Sequence, residues 1–429
     1  MTSVPRAGDE LKHIVSYYEY ATVGCSGSIP RPVNISQEIF RYTQTRQLGQ
    51  SRFSHIGAQN IVDDYVAQLM PLLFKEREYQ VGNINKIFSA QWLNSKQVVY
   101  GTKCNKLEVM DLNSGNIDHI PSLKSSNKSQ PAGCPCGIHS VAINPSRTLL
   151  ATGAENTNDL AVYKLPTFDP VCVGERAHGD WIFDICWLDD EFLVTGSRDS
   201  YLGLWRIDGV EDTEVSPLSS LQVPEYSFQA PLIVKECNDA KKVRALAYHE
   251  DRKELAVLSL NAMFHLWDLE TFKSISHRKL PNSKENVCMC VAKEKPLYAI
   301  GSQSHVYLVD PRSKKTLSII SKFRGAGIRS VSFRKDIITI GTGTGHILFY
   351  DLRAEKYLES GCGHMCSLVL GKGWLLRDEN YYGFFMHQFN HDIPNAIYTH
   401  QYDDTGTRMF VAGGPLPAGL WGNYAGLWS

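Results

Sequence analysis

The sequence has almost no net charge, because 44 lysines and arginines face 45 aspartates and glutamates over 429 residues. A dedicated nucleic-acid-binding protein usually has a basic imbalance, so we expect no nucleic-acid partner. No apolar run approaches the roughly 20 residues that a membrane-spanning helix needs. The first residues also lack the basic start and apolar run of a secretory signal. We therefore expect no membrane association and no secretion.

The motifs of several enzyme classes are missing as well. The chain contains no G-x-S-x-G nucleophile turn, no nucleotide-binding P-loop and no H-E-x-x-H zinc motif. The glycine-rich stretch 341–345 lies in a turn between two predicted strands, where no helix N-terminus is available to hold a phosphate. The sequence therefore predicts a protein that is not an enzyme and carries no cofactor.

The eleven cysteines are odd in number and are scattered through the chain. Such a pattern is typical of reduced thiols in a cytosolic or nuclear protein. We expect a cytoplasmic protein that also occurs in the nucleus or at the centrosome. Cys362, His364 and Cys366 offer only three ligands at irregular spacing, whereas a closed zinc site takes four. Cys134 and Cys136 lie too close together to improve on this. We predict no metal site.

What the sequence does contain is a unit that recurs about every 40 residues, the period of a propeller blade. Each unit opens with an apolar strand, continues with a second strand that ends in a small residue, and has a third strand that ends in an aromatic or aliphatic residue. The opening strands cover 87–92, 138–143, 182–187, 243–248, 287–291, 328–333 and 396–402. Their alternation and turn residues predict an all-β, seven-bladed β-propeller. In the third blade His178, Asp199 and Trp205 resemble the polar bracing residues of the WD-repeat family.

The two ends of the propeller are predicted to meet in its last blade. The third strand of that blade should stop at residues 428–429, so its outer strand has to come from elsewhere. Residues 79–82 precede the first blade and supply this strand in our interpretation, which removes an open sheet edge. The propeller is thus assigned to 78–429, with insertions at 209–238 and 354–393. The first insertion is predicted to be mobile.

The segment before the propeller divides into two parts. Residues 1–35 hold Gly, Ser and Pro clusters without periodicity and are predicted to be disordered. A short amphipathic helix is expected over 36–49, and a second helix begins at a capping Asn60 and continues to Leu73. Pro71 is expected to kink it. Without further information, we expect this second helix to pack on its own propeller.

Cations recur at the positions that a propeller turns toward the mouth of its central channel. These positions are the second residue of an opening strand and the turn after the second strand. These positions hold the cations Lys103, Arg198, Arg244 and Arg329, and Lys242 lies two residues before Arg244. Phe88, Trp181 and Phe183 would add apolar walls. Converging cations repel each other unless an anion joins them, and guanidinium groups bind carboxylates bidentately. In the alternative interpretation each cation pairs with a local acid, such as Glu155 or Asp199.

Several segments resemble the WD-repeat substrate receptors of cullin-4 RING ubiquitin ligases. They are 75–78, 101–104, 144–153, 327–333 and 411–417. More narrowly, they resemble the family of the twelfth cullin-4-associated factor, whose members receive proteins with acidic C-terminal degrons, typically di-glutamate. The resemblance implies that the five cations at the mouth form the degron pocket.

The resemblance also implies a second surface, for the damaged-DNA-binding adaptor protein of the ligase. An aromatic-Asp-x-Arg sequence at the end of a blade binds this adaptor in the family, and residues 350–353 fit it, while 309–312 fit more loosely. The implied adaptor-binding residues are Asp351, Arg353, Asp310 and Arg312. A helix-loop-helix over 36–77 would dock into the same adaptor. The alternative function is a WD-repeat scaffold that assembles protein partners without a ubiquitin ligase role.

Overall fold

The structure, a computed structural model, describes residues 44, 47, 55–133, 136–207, 226–281, 284–313, 316–320, 327–359, 363–388 and 393–429. The strands form seven sheets, and within each blade the four main strands follow one another with antiparallel pairing. Each innermost strand contacts the innermost strand of the next blade, and the seventh contacts the first. The sheets therefore close into the predicted seven-bladed propeller.

The strands fall into four layers from the central channel outward. The innermost are Ile87–Trp92, Val141–Ile143, Ile182–Trp187, Val243–His249, Cys288–Val291, Ile328–Arg334 and Asn395–Tyr402. The second are Gln97–Thr102, Leu149–Gly153, Phe192–Ser197, Glu254–Ser259, Tyr298–Gly301, Ile337–Thr342 and Met409–Pro415. The third are Leu107–Asp111, Leu160–Lys164, Tyr201–Arg206, Met263–Asp268, His305–Val309, His346–Asp351 and Gly422–Trp428. The outermost are Ile117–Ile120, Asp169–Gly174, Ile233–Glu236, Lys273–Lys279, Thr316–Ile320, Lys356–Tyr357 with Ser367–Val369, and Glu76–Tyr79.

Burial explains which strands appear in the sequence as continuous runs of apolar residues. Every residue of Ile337–Thr342 and of Glu254–Ser259 is buried, because neighbouring blades cover both faces of these second strands. By contrast, the outermost strand Lys273–Lys279 is almost wholly exposed. Short continuous apolar runs are typical of strands that are buried on both faces, and this is the pattern that made the repeat visible.

The last blade is closed by an N-terminal strand, but three residues earlier than predicted. Glu76–Tyr79 pairs antiparallel with residues 425–428, and Lys75 and Ser429 exchange two backbone hydrogen bonds of 3.0 and 3.1 Å. The predicted bounds of this strand, 79–82, are therefore wrong, although an N-terminal strand does close the blade. Gly82 has a φ of +77°, which turns the chain away from the edge and toward the first blade.

Parts of the two presumed insertions belong to blades. Ile233–Glu236 is the outermost strand of the third blade, and Ser227–Gln229 adds a parallel fifth strand to the second. The interpretation of 209–238 as a mobile insertion is thus wrong for residues 226–236; residues 208–225 lie outside the described residues. In the second segment, Trp374–Leu375 pairs with the last strand of the chain. The same segment holds the helix Glu379–Gln388.

The helix before the propeller spans His55–Leu73 and contains Pro71 in its last turn. It begins five residues before Asn60, so the predicted cap is wrong, because the residues before Asn60 continue the helix. Ala67 and Phe74, which follows the helix, are buried against the sixth and seventh blades. The helix therefore packs on its own propeller. Gln44 and Gln47 are helical, and the other residues of the predicted first helix and of 1–35 lie outside the described residues.

The bracing residues of the third blade form a connected network, as predicted. His178 Nε2 lies 2.6 Å from Thr195 Oγ1, and Trp205 Nε1 donates to the same oxygen at 2.9 Å. His178 Nδ1 is 3.6 Å from the carboxylate of Asp199, which also accepts from the Gly179 amide. Thr195, which the sequence reasoning did not single out, is the centre of this network.

A second buried histidine predicts a pH dependence of stability. His400 lies 2.7 Å from Ser330 Oγ and 2.7 Å from Ser332 Oγ, and burial lowers its pKa to about 4. Between this value and the ordinary pKa of about 6.5, the unfolded chain binds a proton that the folded chain does not, so stability falls as pH falls. His400→Gln should make the free energy of unfolding fall less steeply, by up to about 1.4 kcal/mol per pH unit between these values. Chemical denaturation at several pH values measures this, with exposed His119→Gln as control. Equal slopes for His400→Gln and the wild type would contradict the assignment.

Candidate functional site

The innermost strands share an irregularity at their first residues. In five of the described strand pairs the register shifts by one residue just inside the strand. The residues at these bulges are Phe88, Phe183, Arg244, Arg329 and Tyr398. A bulge re-aims the side chain of its extra residue and is frequent beside functional sites. His139 occupies the corresponding place in the second blade, and Val287 does so in the fifth, because Cys288 pairs with Gly301 as Ser330 pairs with Gly341. One residue from every blade therefore lies at the mouth.

Four of these seven residues form an aromatic arc: Tyr398, Phe88, His139 and Phe183. The ring of Phe88 is stacked on His139 at 4.6 Å and meets Tyr398 edge-on at 5.2 Å. His139 in turn meets Phe183 edge-on at 4.8 Å. These contacts join four consecutive blades, from the seventh to the third, into one apolar wall.

The other three residues are Arg244, Val287 and Arg329, and their two guanidinium groups make this part of the ring a cationic arc, with Cys288 next to Val287. The Arg244 guanidinium lies 4.9 Å from the ring centre of Phe183, where the two arcs meet. Burial raises the pKa of the Cys288 thiol to about 12, and the charges of Arg244 and Arg329 on either side act in the opposite direction. Both guanidinium charges also act on the phenol of Tyr398, whose pKa burial raises. The two arcs thus complete a ring around the mouth.

Arg244 is the least compensated of these charges. Its guanidinium makes no hydrogen bond or ion pair with any residue that the structure describes. Burial lowers the pKa of Arg244, and the Arg329 charge acts in the same direction. The nearby Asp184 carboxylate attracts it but is already occupied, since it accepts from Ser140 Oγ and from the Leu246 amide. A half-buried guanidinium in this state is ready to bind an anion from outside.

Arg329 is only partly compensated. One Nη donates to Glu285 Oε2 at 2.7 Å, while its buried Nε has no hydrogen-bond partner in the described part of the chain. The side chain of Glu285 is 42% exposed, against 16% for Arg329. An anion that enters the mouth can therefore displace this acid without leaving it unsolvated.

The remaining three predicted cations flank the ring. Lys103 Nζ donates to the Ala418 carbonyl at 2.6 Å. The Arg198 guanidinium stacks over Trp181 at 4.5 Å and pairs with Asp180 at 3.5 Å. The ammonium of Lys242, two residues before Arg244, makes no hydrogen bond or ion pair with a described residue.

Three of the predicted cations, Lys103, Arg244 and Arg329, are linked by electrostatic interactions with each other or with a shared neighbour. Arg244 and Arg329 act directly on each other, and Lys103 and Arg244 both act on His139. Burial and these two charges hold the pKa of His139 well below its usual range, so the imidazole is neutral. The alternative of local pairing holds for Arg198 and Arg329, although with Asp180 and Glu285 and not with the predicted Glu155 and Asp199.

The sequence reasoning missed one member of the ring, Tyr398. The mouth positions were predicted as the second residue of each opening strand. Because the predicted seventh strand began at Ala396, its second residue was Ile397, one residue before Tyr398. The bulge between Ile397 and Thr399 shows that Tyr398 is the equivalent of Arg329. A comparison of the Ile-Arg pair at 328–329 with the Ile-Tyr pair at 397–398 could have found it.

The residues implied for adaptor binding lie at the other end of the blades. Asp351 accepts hydrogen bonds from the amides of Arg353 and Ala354, so its carboxylate holds the turn after the third strand. The Arg353 side chain is 42% exposed, and its Nε lies 3.9 Å from Asp336. Asp64, on the N-terminal helix, is within electrostatic reach of both Arg353 and Asp336. The helix and Arg353 therefore belong to one surface.

The looser match differs in its geometry. Arg312 bends back onto its own Asp310, with Nε and Nη2 each 3.2 Å from a carboxylate oxygen. The carbonyls of Asp310 and Pro311 accept further hydrogen bonds from Arg278. Asp310 and Arg312 thus stabilise their own turn in the fifth blade, one blade away from Arg353.

Two further observations concern other classes of site. Among the described residues no group of His, Cys, Asp or Glu is arranged to hold a metal ion, and no helix is both long and apolar enough to cross a membrane. Cys362 and Cys134 lie outside the described residues, while Cys136 lies 3.1 Å from His139 and Cys366 contacts the carbonyl of Pro71.

Comparison with known proteins agrees with this architecture. Residues 70–429 match the family described as DDB1- and CUL4-associated factor 12 beta propeller. A relative is the guanine nucleotide-binding protein subunit beta-1 of Drosophila melanogaster, which is 30% identical over 131 residues. That similarity covers 30% of this chain and 35% of the relative, so the chain spans about a third of that protein. Because the family match covers all seven blades, the protein belongs to the DDB1- and CUL4-associated factor 12 β-propeller family.

Proposed function

We propose that this protein is the substrate-recognition subunit of a cullin-4 RING ubiquitin ligase and binds acidic C-terminal degrons that end in two glutamates. The family description, which names DDB1 and cullin-4, supports the ligase role. The observation that carries the degron role is the mouth of the propeller, where Arg244 has no hydrogen-bonding or ion-pair partner among the described residues. In this proposal the chain recognises substrates and does not catalyse their modification.

The charges at the mouth suit such a ligand. A di-glutamate terminus carries three carboxylates, one on the main chain and two on side chains. Of the five cations assigned to the mouth, only Arg198 and Arg329 are paired with described acids. Guanidinium groups bind carboxylates through two parallel hydrogen bonds, which favours this ligand over a neutral peptide. The aromatic arc offers apolar surface to the methylene groups of the two glutamate side chains.

Neutralising the terminal carboxylate should weaken binding strongly. A peptide that ends in free Glu-Glu is expected to bind the purified protein, and the same peptide with an amidated terminus should lose on the order of 2–5 kcal/mol because buried cations stay unpaired. Isothermal titration calorimetry at fixed salt measures both peptides. Arg244→Gln, which keeps a polar but shorter side chain and removes the charge, should weaken the free acid most. Equal affinity for the acid and the amide would refute the pocket.

We propose that the adaptor binds the opposite end of the propeller. The innermost strand of the sixth blade runs from the mouth at Arg329 to Arg334, a length of roughly 20 Å at about 3.3 Å per residue. Arg353 lies beyond that far end, beside Asp64 of the N-terminal helix. Leu72 and Leu73 are 39% and 63% exposed and add apolar area for a partner. In this arrangement the ligase holds one end and leaves the mouth open to substrates.

The alternative is a WD-repeat scaffold that assembles protein partners without a ligase. The similarity to a G-protein β subunit concerns the propeller and fits this function equally well. The two functions differ in one observable, which is whether the damaged-DNA-binding adaptor co-purifies with the wild-type protein from cells. Its absence would favour the scaffold.

A further inference from the structure

We propose that Tyr398 is a degron-binding residue, whose hydroxyl donates a hydrogen bond to a carboxylate that Arg244 and Arg329 hold. This inference rests on the proposed degron function and adds a neutral donor to a pocket otherwise made of cations. It also assigns a role to the aromatic residue at the second junction of the two arcs, the first being the contact of Arg244 with Phe183.

The position of Tyr398 follows from the fold. The bulge between Ile397 and Thr399 turns its side chain to the mouth, as the equivalent bulges do for Arg329 and Arg244. Its ring is fixed by an edge-on contact with Phe88 at 5.2 Å. Tyr398 is therefore held at the border of the cationic arc by packing, independently of its hydroxyl.

The Tyr398 hydroxyl does not stabilise the fold through a hydrogen bond to any part of the chain that the structure describes. The Tyr398 hydroxyl makes no hydrogen bond there, and its oxygen is not among the fully buried polar atoms that lack a partner. Other tyrosines of the propeller use their hydroxyls, such as Tyr402 with Thr339 at 2.8 Å and Tyr79 with the Leu112 carbonyl at 2.6 Å. A phenol that remains reachable by solvent beside two guanidinium groups is a donor without an acceptor.

The chemistry of the site supplies that acceptor. Arg244 and Arg329 have only N–H donors, so neither can satisfy the phenol hydrogen, whereas a carboxylate bound between them presents several lone pairs to both kinds of donor. Hydrogen bonds from a hydroxyl to an ionised carboxylate are short and about twice as strong as neutral ones. The phenol also adds direction, because a single O–H fixes one oxygen of the carboxylate.

Tyr398→Phe tests this with the removal of one oxygen atom. The variant keeps the ring against Phe88, so its melting temperature should equal that of the wild type. Its affinity for a peptide ending in free Glu-Glu should fall about tenfold, the loss of one hydrogen bond to a charged group. Tyr402→Phe, four residues along the same strand, is the control; it removes a hydrogen bond inside the propeller and should leave peptide affinity unchanged.

Three further peptides locate the partner of the hydroxyl. They carry an amidated terminus, Gln in place of the last Glu, or Gln in place of the penultimate Glu. The effect of Tyr398→Phe should disappear for the peptide that lacks the carboxylate in question and persist for the other two. An equal loss for every peptide, or no loss with the free acid, would overturn the inference. If the wild type does not bind the free acid at all, the proposed function itself fails.

Discussion

Removal of residues 427–429 is expected to unfold the propeller, although it shortens the chain by less than one hundredth. Leu427 and Trp428 are buried, with 7% and 5% of their surface exposed. They pair on one side with residues 76–77 and on the other with residues 409–410. Losing one large buried side chain destabilises a protein by roughly 3–5 kcal/mol, and a typical domain has only about 5–15 kcal/mol in total.

The deletion also opens the ring. The last strand is the only described strand that pairs with the N-terminal strand, so its shortening removes half of the residue pairs that join the two ends. Circular dichroism during heating measures the loss. Deletion of Ser429 alone is the matched control, since it removes the backbone bonds to Lys75 and keeps both apolar side chains. A three-residue truncation that melts at the wild-type temperature would contradict the closure.

Arg353→Asp is expected to abolish binding of the damaged-DNA-binding adaptor and to spare peptide binding. The side chain is 42% exposed and forms one loose ion pair, with Asp336 at 3.9 Å. An aspartate at this position would add a negative charge beside Asp336 and Asp64. Reversing one charge of a desolvated interfacial pair costs on the order of 2–5 kcal/mol or more, which is enough to remove the adaptor from a pull-down.

Arg353→Asp should not change peptide binding at the mouth, because Arg353 lies at the opposite end of the sixth blade. Co-purification of the adaptor and calorimetry with the free-acid peptide give the two readouts. Arg206→Asp is the matched control: Arg206 ends the third strand of another blade, where it pairs with Glu191 at 3.5 Å. We expect it to keep both activities. If Arg353→Asp lost peptide binding too, the protein would be misfolded and the adaptor surface would remain unsupported.

The sequence predicted the blades well where burial on both faces made the strands apolar. The prediction was less successful at sheet edges, because an outermost strand is exposed and has few apolar residues by which the strand can be recognised. Ile233–Glu236 is such a strand, with alternate exposed residues, and it was taken for part of an insertion. The N-terminal strand has three exposed residues out of four, and its predicted bounds were displaced by three residues.

For the candidate site, too, the sequence predicted the features that repeat in every blade and missed those that depend on contacts between elements. Cations at equivalent places in several blades can be counted from the repeat, and the structure brings Arg244 and Arg329 to one mouth. Tyr398 was missed because the predicted strand was counted from Ala396, which put Ile397 at the position that Tyr398 occupies. The pairing of Arg329 with Glu285 also crosses between elements 44 residues apart, so no local pattern indicates it.

By itself, the sequence determined the class of fold, the number of blades and the residue types that every blade offers to the mouth, because these depend on a short pattern repeated seven times. Only the tertiary structure decided which of those cations have no hydrogen-bonding or ion-pair partner among the described residues. That property depends on bulges, on acids from other blades and on solvent access, all of which arise when the seven sheets close into a ring. Arg244, with its neighbouring carboxylate already occupied, and Tyr398, with its hydroxyl unused in the described structure, became visible as binding groups at that level.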